Sequence, residues 1–140
     1  MTAPALDKGD ELPVRSFEIT RDDLRRYAEA SGDRNPIHLD DSAARSLGLP
    51  GVVAHGMLVM ALAVGSVSEW IGGADRLLAT DVRFASPVQV PADAPALLEV
   101  AGVVRKTDEE AGTANLALRV TAGGAKVLGK AIVTVLARDS

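Results

Sequence analysis

The chain has 140 residues, a formal net charge of −4, 47% hydrophobic and 24% charged residues, and no cysteine. That is the size and composition of one globular domain, assigned to residues 1–140. The acidic balance lacks the basic footprint of a nucleic-acid binder, and four aromatic residues are too few for a base-stacking platform. The missing cysteines exclude disulfides, thiolate nucleophiles and cysteine-bound metals, and they fit a reducing cytoplasm.

In chain order, the N-terminal MTAPALDKGDELP is polar and has no apolar signal region. Thr20 followed by Asp23 predicts a helix start. Leu24, Tyr27, Ala28 and Ser31 then fall at helical spacing, and Gly32 ends that helix. Asp40 or Asp41 can cap a short second helix through Ser46, stopped by Gly48 and Pro50. Met57 to Trp70 is apolar on every side, which predicts a buried helix ended by Gly72 and Gly73. Its longest apolar run, Met57 to Val64, is too short to span a membrane.

Beyond this helix the period changes to two. Ala96 to Val104, Leu116 to Val120 and Ile132 to Leu136 predict strands. Residues 108–112 and Gly123-Gly124 are the turns between them. Short turns between consecutive strands imply antiparallel pairing. The fold class expected is α+β, with an antiparallel sheet curled around the long helix. Its edge strands and apolar rim predict pairing with a second subunit.

Both histidines stand in unusual local sequence. Pro36 fixes its own φ and pushes Asn35 toward an extended conformation. Such a stiff turn can aim Asp33 and His38 at one point, giving an acid–base pair that works near neutral pH. The plainer reading makes Asp33 a turn former and His38 a surface residue. His55 and Gly56 stand at the start of the apolar helix, where free N–H groups and the helix dipole favour a developing oxyanion. Alternatively, Gly56 serves close packing and His55 is a capping or buried structural residue. The spacing of His38, His55, Asp40 and Asp41 matches no ligand pattern, so no metal is expected.

Tyr27 to Ala44, containing SGDRNPIH at Ser31–His38, resembles the hydratase-2 motif of MaoC-like dehydratases. AHGML at Ala54–Leu58 and RFASPV at Arg83–Val88 are similar to that family's central helix start and following strand. The resemblance runs from Lys8 to the last strand, and within the family it points to the short catalytic B-type subunits of actinobacterial (3R)-hydroxyacyl-ACP dehydratases. It implies a hot-dog fold and reversible addition of water to a trans-2-enoyl thioester, giving the (3R)-hydroxyacyl thioester. For the reverse reaction, the resemblance implies the dehydration step of type II fatty acid or mycolic-acid-type synthesis.

By position, the resemblance makes Asp33 and His38 the catalytic pair. Gly56 becomes the backbone donor to the thioester carbonyl, and Asn35 the residue that steadies the turn, with His55 in support. It implies no cofactor, and a substrate carried on acyl carrier protein or CoA. It also implies a dimer, either with a related non-catalytic hot-dog subunit or with a second copy. The chain departs from some relatives at Ala61, where homodimeric hydratases can carry serine, and at Ala92-Asp93 in place of Gly-Asp. Three further readings remain open: a homodimeric (R)-specific enoyl-CoA hydratase, a non-catalytic acyl-binding subunit, and a thioesterase.

Overall fold

The computed structural model describes residues 5–137. The ends of the 1–140 domain assignment, including the first four residues of the polar N-terminal segment, lie outside the described residues. Six strands form one antiparallel sheet: β1 (Glu11–Ile19), β2 (Leu77–Phe84), β3 (Ala96–Asp108), β4 (Thr113–Ala122), β5 (Ala125–Lys126) and β6 (Leu128–Leu136). Their order is β1-β3-β4-β6-β2, and the short β5 pairs with β4. The three strands expected from alternation are the central ones. Register shifts interrupt β1–β3, β3–β4 and both ends of β2–β6, and such bulges bend strands and increase their twist.

Three helices accompany the sheet: α1 (Arg21–Ser31), α2 (Asp41–Ser46) and α3 (Gly56–Ile71). Thr20 and Asp23 close α1 with a reciprocal capping box. Gly32 ends it at φ 79°, a left-handed conformation that suits glycine. Asp40 caps α2 by accepting the N–H of Ser42. Gly72 ends α3.

The expected long helix is α3, and it is buried along one face rather than all round. Val59, Ala63, Ser66, Val67 and Ile71 are buried. The four apolar ones join a core with Leu98 and Val100 of β3, Leu116 and Val120 of β4, and Val133 and Val135 of β6. On the opposite side Met57 is 58% exposed and Ala61 is also exposed. The apolar sequence of that outer face is therefore not explained by packing within this chain.

One more feature positions the site. Residues 52–54 run as a short extended segment bridged to 88–90. Val53 pairs with Gln89, the N–H of Ala54 donates to Val88, and that of Val90 donates to Val52. This segment delivers the chain to the first turn of α3.

Candidate active site

The turn after α1 is built from short side chains bonded to nearby backbone. Asp33 donates its N–H to Ser31 Oγ at 3.1 Å and accepts the Asn35 N–H at Oδ1, 3.2 Å. Asn35 Oδ1 accepts the N–H of Ile37 at 3.2 Å, and the Asn35 carbonyl accepts that of His38. Pro36 opens the 3-10 turn Pro36–His38 that follows. Asp33 is thus a turn former whose carboxylate also stays exposed.

His38 is not a surface residue: it is only 8% exposed. Its Nδ1 lies 2.7 Å from the carbonyl oxygen of Val53. A carbonyl can only accept, so Nδ1 carries the proton. In neutral His38 the lone pair is then on Nε2, the form that can take or relay a proton.

His55 occupies the N-cap position of α3, but its side chain makes no capping bond. Its Nε2–H donates to the carbonyl of Asp33 at 3.1 Å, tying the helix start to the turn. The ring stacks on His38 and meets Tyr27 at a tilt, with ring centres 3.9 and 4.7 Å away. His55 Nδ1 is buried without a hydrogen-bond partner. Burial chiefly, with His38 adding, pushes the His55 pKa below its ordinary value, against the opposing pull of Asp33.

One carboxylate oxygen of Asp33 and one ring nitrogen each of His38 and His55 all lie within 4.8 Å of one another. A single water can bridge groups at that separation.

Gly56 is the first residue of α3, so its N–H has no acceptor one turn earlier in the helix. A Cβ at this position would lie 3.0 Å from Phe84 Cε1. Glycine leaves room for that ring, which a methyl group here would displace by a few tenths of an ångström. His38, Gly56 and Phe84 line an open cavity of about 300 Å³, lined otherwise mostly by apolar groups including Val59, Val88 and Val127. Of the five residues singled out in the sequence, His38 and Gly56 line the cavity, while Asp33, Asn35 and His55 join them through the turn and the stacked ring. Phe84 and the Val53 carbonyl were not singled out. Phe84 carries no local signal beyond its place in RFASPV, and a backbone carbonyl has no sequence signature.

Comparison with known proteins follows the same geometry. The MaoC like domain matches residues 7–121. A 3-hydroxyacyl-thioester dehydratase X from Mycobacterium tuberculosis is 42% identical over 82 residues, which are 59% of this chain and 28% of that protein. An (R)-specific enoyl-CoA hydratase from Aeromonas caviae is 27% identical over 95% of this chain and 98% of its own length. A solved structure described as a MaoC-like dehydratase superposes with a TM-score of 0.92 at 38% identity, over 95% of this chain and 42% of that one. The chain thus spans less than half of two of these three proteins. Its hot-dog architecture is that of the solved relative, and β6 completes the sheet beyond the matched segment. Among the described residues no helix is long and apolar enough to cross a membrane.

Proposed function

Because the chain belongs to the MaoC-like domain family, we propose that it is a hydro-lyase that reversibly hydrates trans-2-enoyl thioesters to (3R)-hydroxyacyl thioesters. One observation carries this reading. His38, with its free nitrogen fixed as an acceptor, stands beside the exposed Asp33 carboxylate and lines the same apolar cavity as the N-terminal glycine of α3.

The chemistry follows from these positions. The thioester carbonyl accepts the Gly56 N–H, and the α3 dipole favours the negative charge that develops on that oxygen. In hydration, a water held between Asp33 and His38 loses one proton to the pair as its oxygen bonds to C3. C2 gains a proton from the pair, and the product leaves the dyad in its starting state. Dehydration is the reverse: the C2 proton and the C3 hydroxyl depart as water. Asp33 and His38 act as a coupled acid–base pair in both directions. The apolar cavity takes the acyl chain, and Asn35 and His55 hold the turn against α3. These steps need no cofactor, because the thioester itself acidifies C2.

The role we assign is the dehydration step of type II fatty acid or mycolic-acid-type synthesis, with the acyl group on carrier protein or CoA, in the cytoplasm. The exposed apolar face of α3 supports a dimer, with a related hot-dog subunit or a second copy covering Met57 and Ala61. Product analysis with trans-2-butenoyl-CoA tests the assignment. The expected product is (3R)-hydroxybutyryl-CoA. A (3S) product contradicts the assignment, and release of free CoA thiol favours the thioesterase reading instead.

A further inference from the structure

Asp41 looks like a helix-cap residue in the sequence, yet Asp40 is the residue that caps α2. The Asp41 carboxylate points elsewhere. Its Oδ1 accepts the N–H of Val52 at 2.9 Å and the Nη2–H of Arg21 at 2.9 Å. Arg21 also donates through Nε to the carbonyl of Val90 at 2.6 Å. Val52 is fully buried, and Val90 donates its own N–H back to the Val52 carbonyl at 2.9 Å. The next peptide carries the carbonyl that holds His38.

Three bonds therefore fix residues 37–41 against residues 52–53. Ile37 O accepts the Val53 N–H, His38 donates to Val53 O, and Asp41 accepts the Val52 N–H. Sliding or rotating the Val52–Val53 peptides would move the acceptor that dictates which His38 nitrogen bears the proton. The Val52 N–H first, and then Arg21, hold the Asp41 carboxyl below its ordinary range.

We propose that Asp41, anchored by Arg21, is a positioning residue that sets the Val53 carbonyl and thereby keeps His38 in the Nδ1–H tautomer, with Nε2 free for the reaction. Its kinetic part rests on the hydratase reading above, whereas its structural part does not.

The tautomer is read directly by nitrogen NMR of the imidazoles, at a pH where both are neutral. Only two histidines are present, and His38→Ala assigns the signals. In the wild-type chain His38 should be wholly Nδ1–H. Asp41→Ala should convert a detectable fraction to Nε2–H and lower kcat about 10- to 100-fold with little change in KM, the cost of a small misplacement of a reacting group. Asp41→Asn keeps an oxygen for the Val52 N–H and should recover most of the Nδ1–H form and part of kcat. A folded Asp41→Ala with His38 still wholly Nδ1–H overturns the proposal. Should that variant not fold, Arg21→Gln is read in the same way: a partial shift supports the proposal, and an unmoved tautomer overturns it. A wild-type chain that shows no hydration would count against the hydratase reading alone, because the tautomer measurement needs no turnover.

Discussion

The imidazole of His55 stacks on that of His38, with ring centres 3.9 Å apart and planes 23° from parallel. Two protonated rings in that arrangement would repel one another. Burial already favours the neutral form of His55, so the stack sets an imidazole against His38 without placing a second charge beside it. The arrangement has a consequence for stability.

The folded pKa of His55 is lowered from an ordinary 6.5, so below that pH the unfolded chain binds protons that the folded chain resists. The burden is absent above 6.5 and grows as pH falls from there toward the folded value. The urea midpoint of the wild-type chain should therefore drop between pH 7.5 and pH 5. In His55→Gln that drop should be smaller. The carboxyls of Asp23 and Asp41 are also lowered, from 3.8, and their losses belong to a more acidic window. An equal drop in both proteins between pH 7.5 and pH 5 would contradict the burial argument.

Gly56→Ala places a methyl 3.0 Å from Phe84 Cε1 and 3.2 Å from Cζ. Either the ring or the first turn of α3 must shift. We expect kcat/KM for enoyl-CoA hydration to fall about tenfold or more as the carbonyl donor moves. Phe84 is half-exposed, so the ring can be trimmed without opening the centre of the core. Gly56→Ala combined with Phe84→Leu should recover part of the loss. A double variant no better than the single one would show that the ring is not what excludes a side chain there.

The outer face of α3 provides a test of assembly. Ala61 is exposed there, one helical turn from Met57. Ala61→Glu should leave the monomer fold intact by circular dichroism. Light scattering on the wild-type chain, alone or with a related hot-dog subunit, should read a complex larger than the 14.5 kDa monomer, and Ala61→Glu should shift it to the monomer. A wild-type chain that stays monomeric in both settings would contradict the pairing.

Much of this site was legible in the sequence because it is local. The Thr20–Asp23 capping box, the glycine stop at Gly32 and the short-side-chain turn at Asp33–Asn35 are each built within a few residues. The central strands were legible because both the core and the sheet impose a period of two on β3 and β4. The two edge strands were not read from periodicity. β1 buries only Leu12 and Ile19 and carries Pro13 beside a register shift, while β2 is exposed at most of its positions. Without a buried face, alternation carries no signal.

The rest of the site depends on partners far along the chain. His55 reaches the Asp33 carbonyl across 22 residues, and His38 reaches Val53 across 15. Asp41 bonds to Val52 at a separation of 11. Each looks locally like a cap or a loop residue, and only the fold gives it a second role. The outer face of α3 is a different case: its apolar character was legible, but burial within this chain does not account for it.

The most direct test of the central claim follows the loss of enoyl-thioester absorbance as a short trans-2-enoyl-CoA is hydrated by the purified protein, with Asp33→Asn and His38→Ala run beside it. Circular dichroism establishes that both variants are folded. The account predicts turnover by the wild-type chain, alone or with its subunit partner, and a loss of at least about 100-fold in each variant, as expected for removal of an acid–base group. Turnover that survives either substitution at the wild-type rate would contradict it.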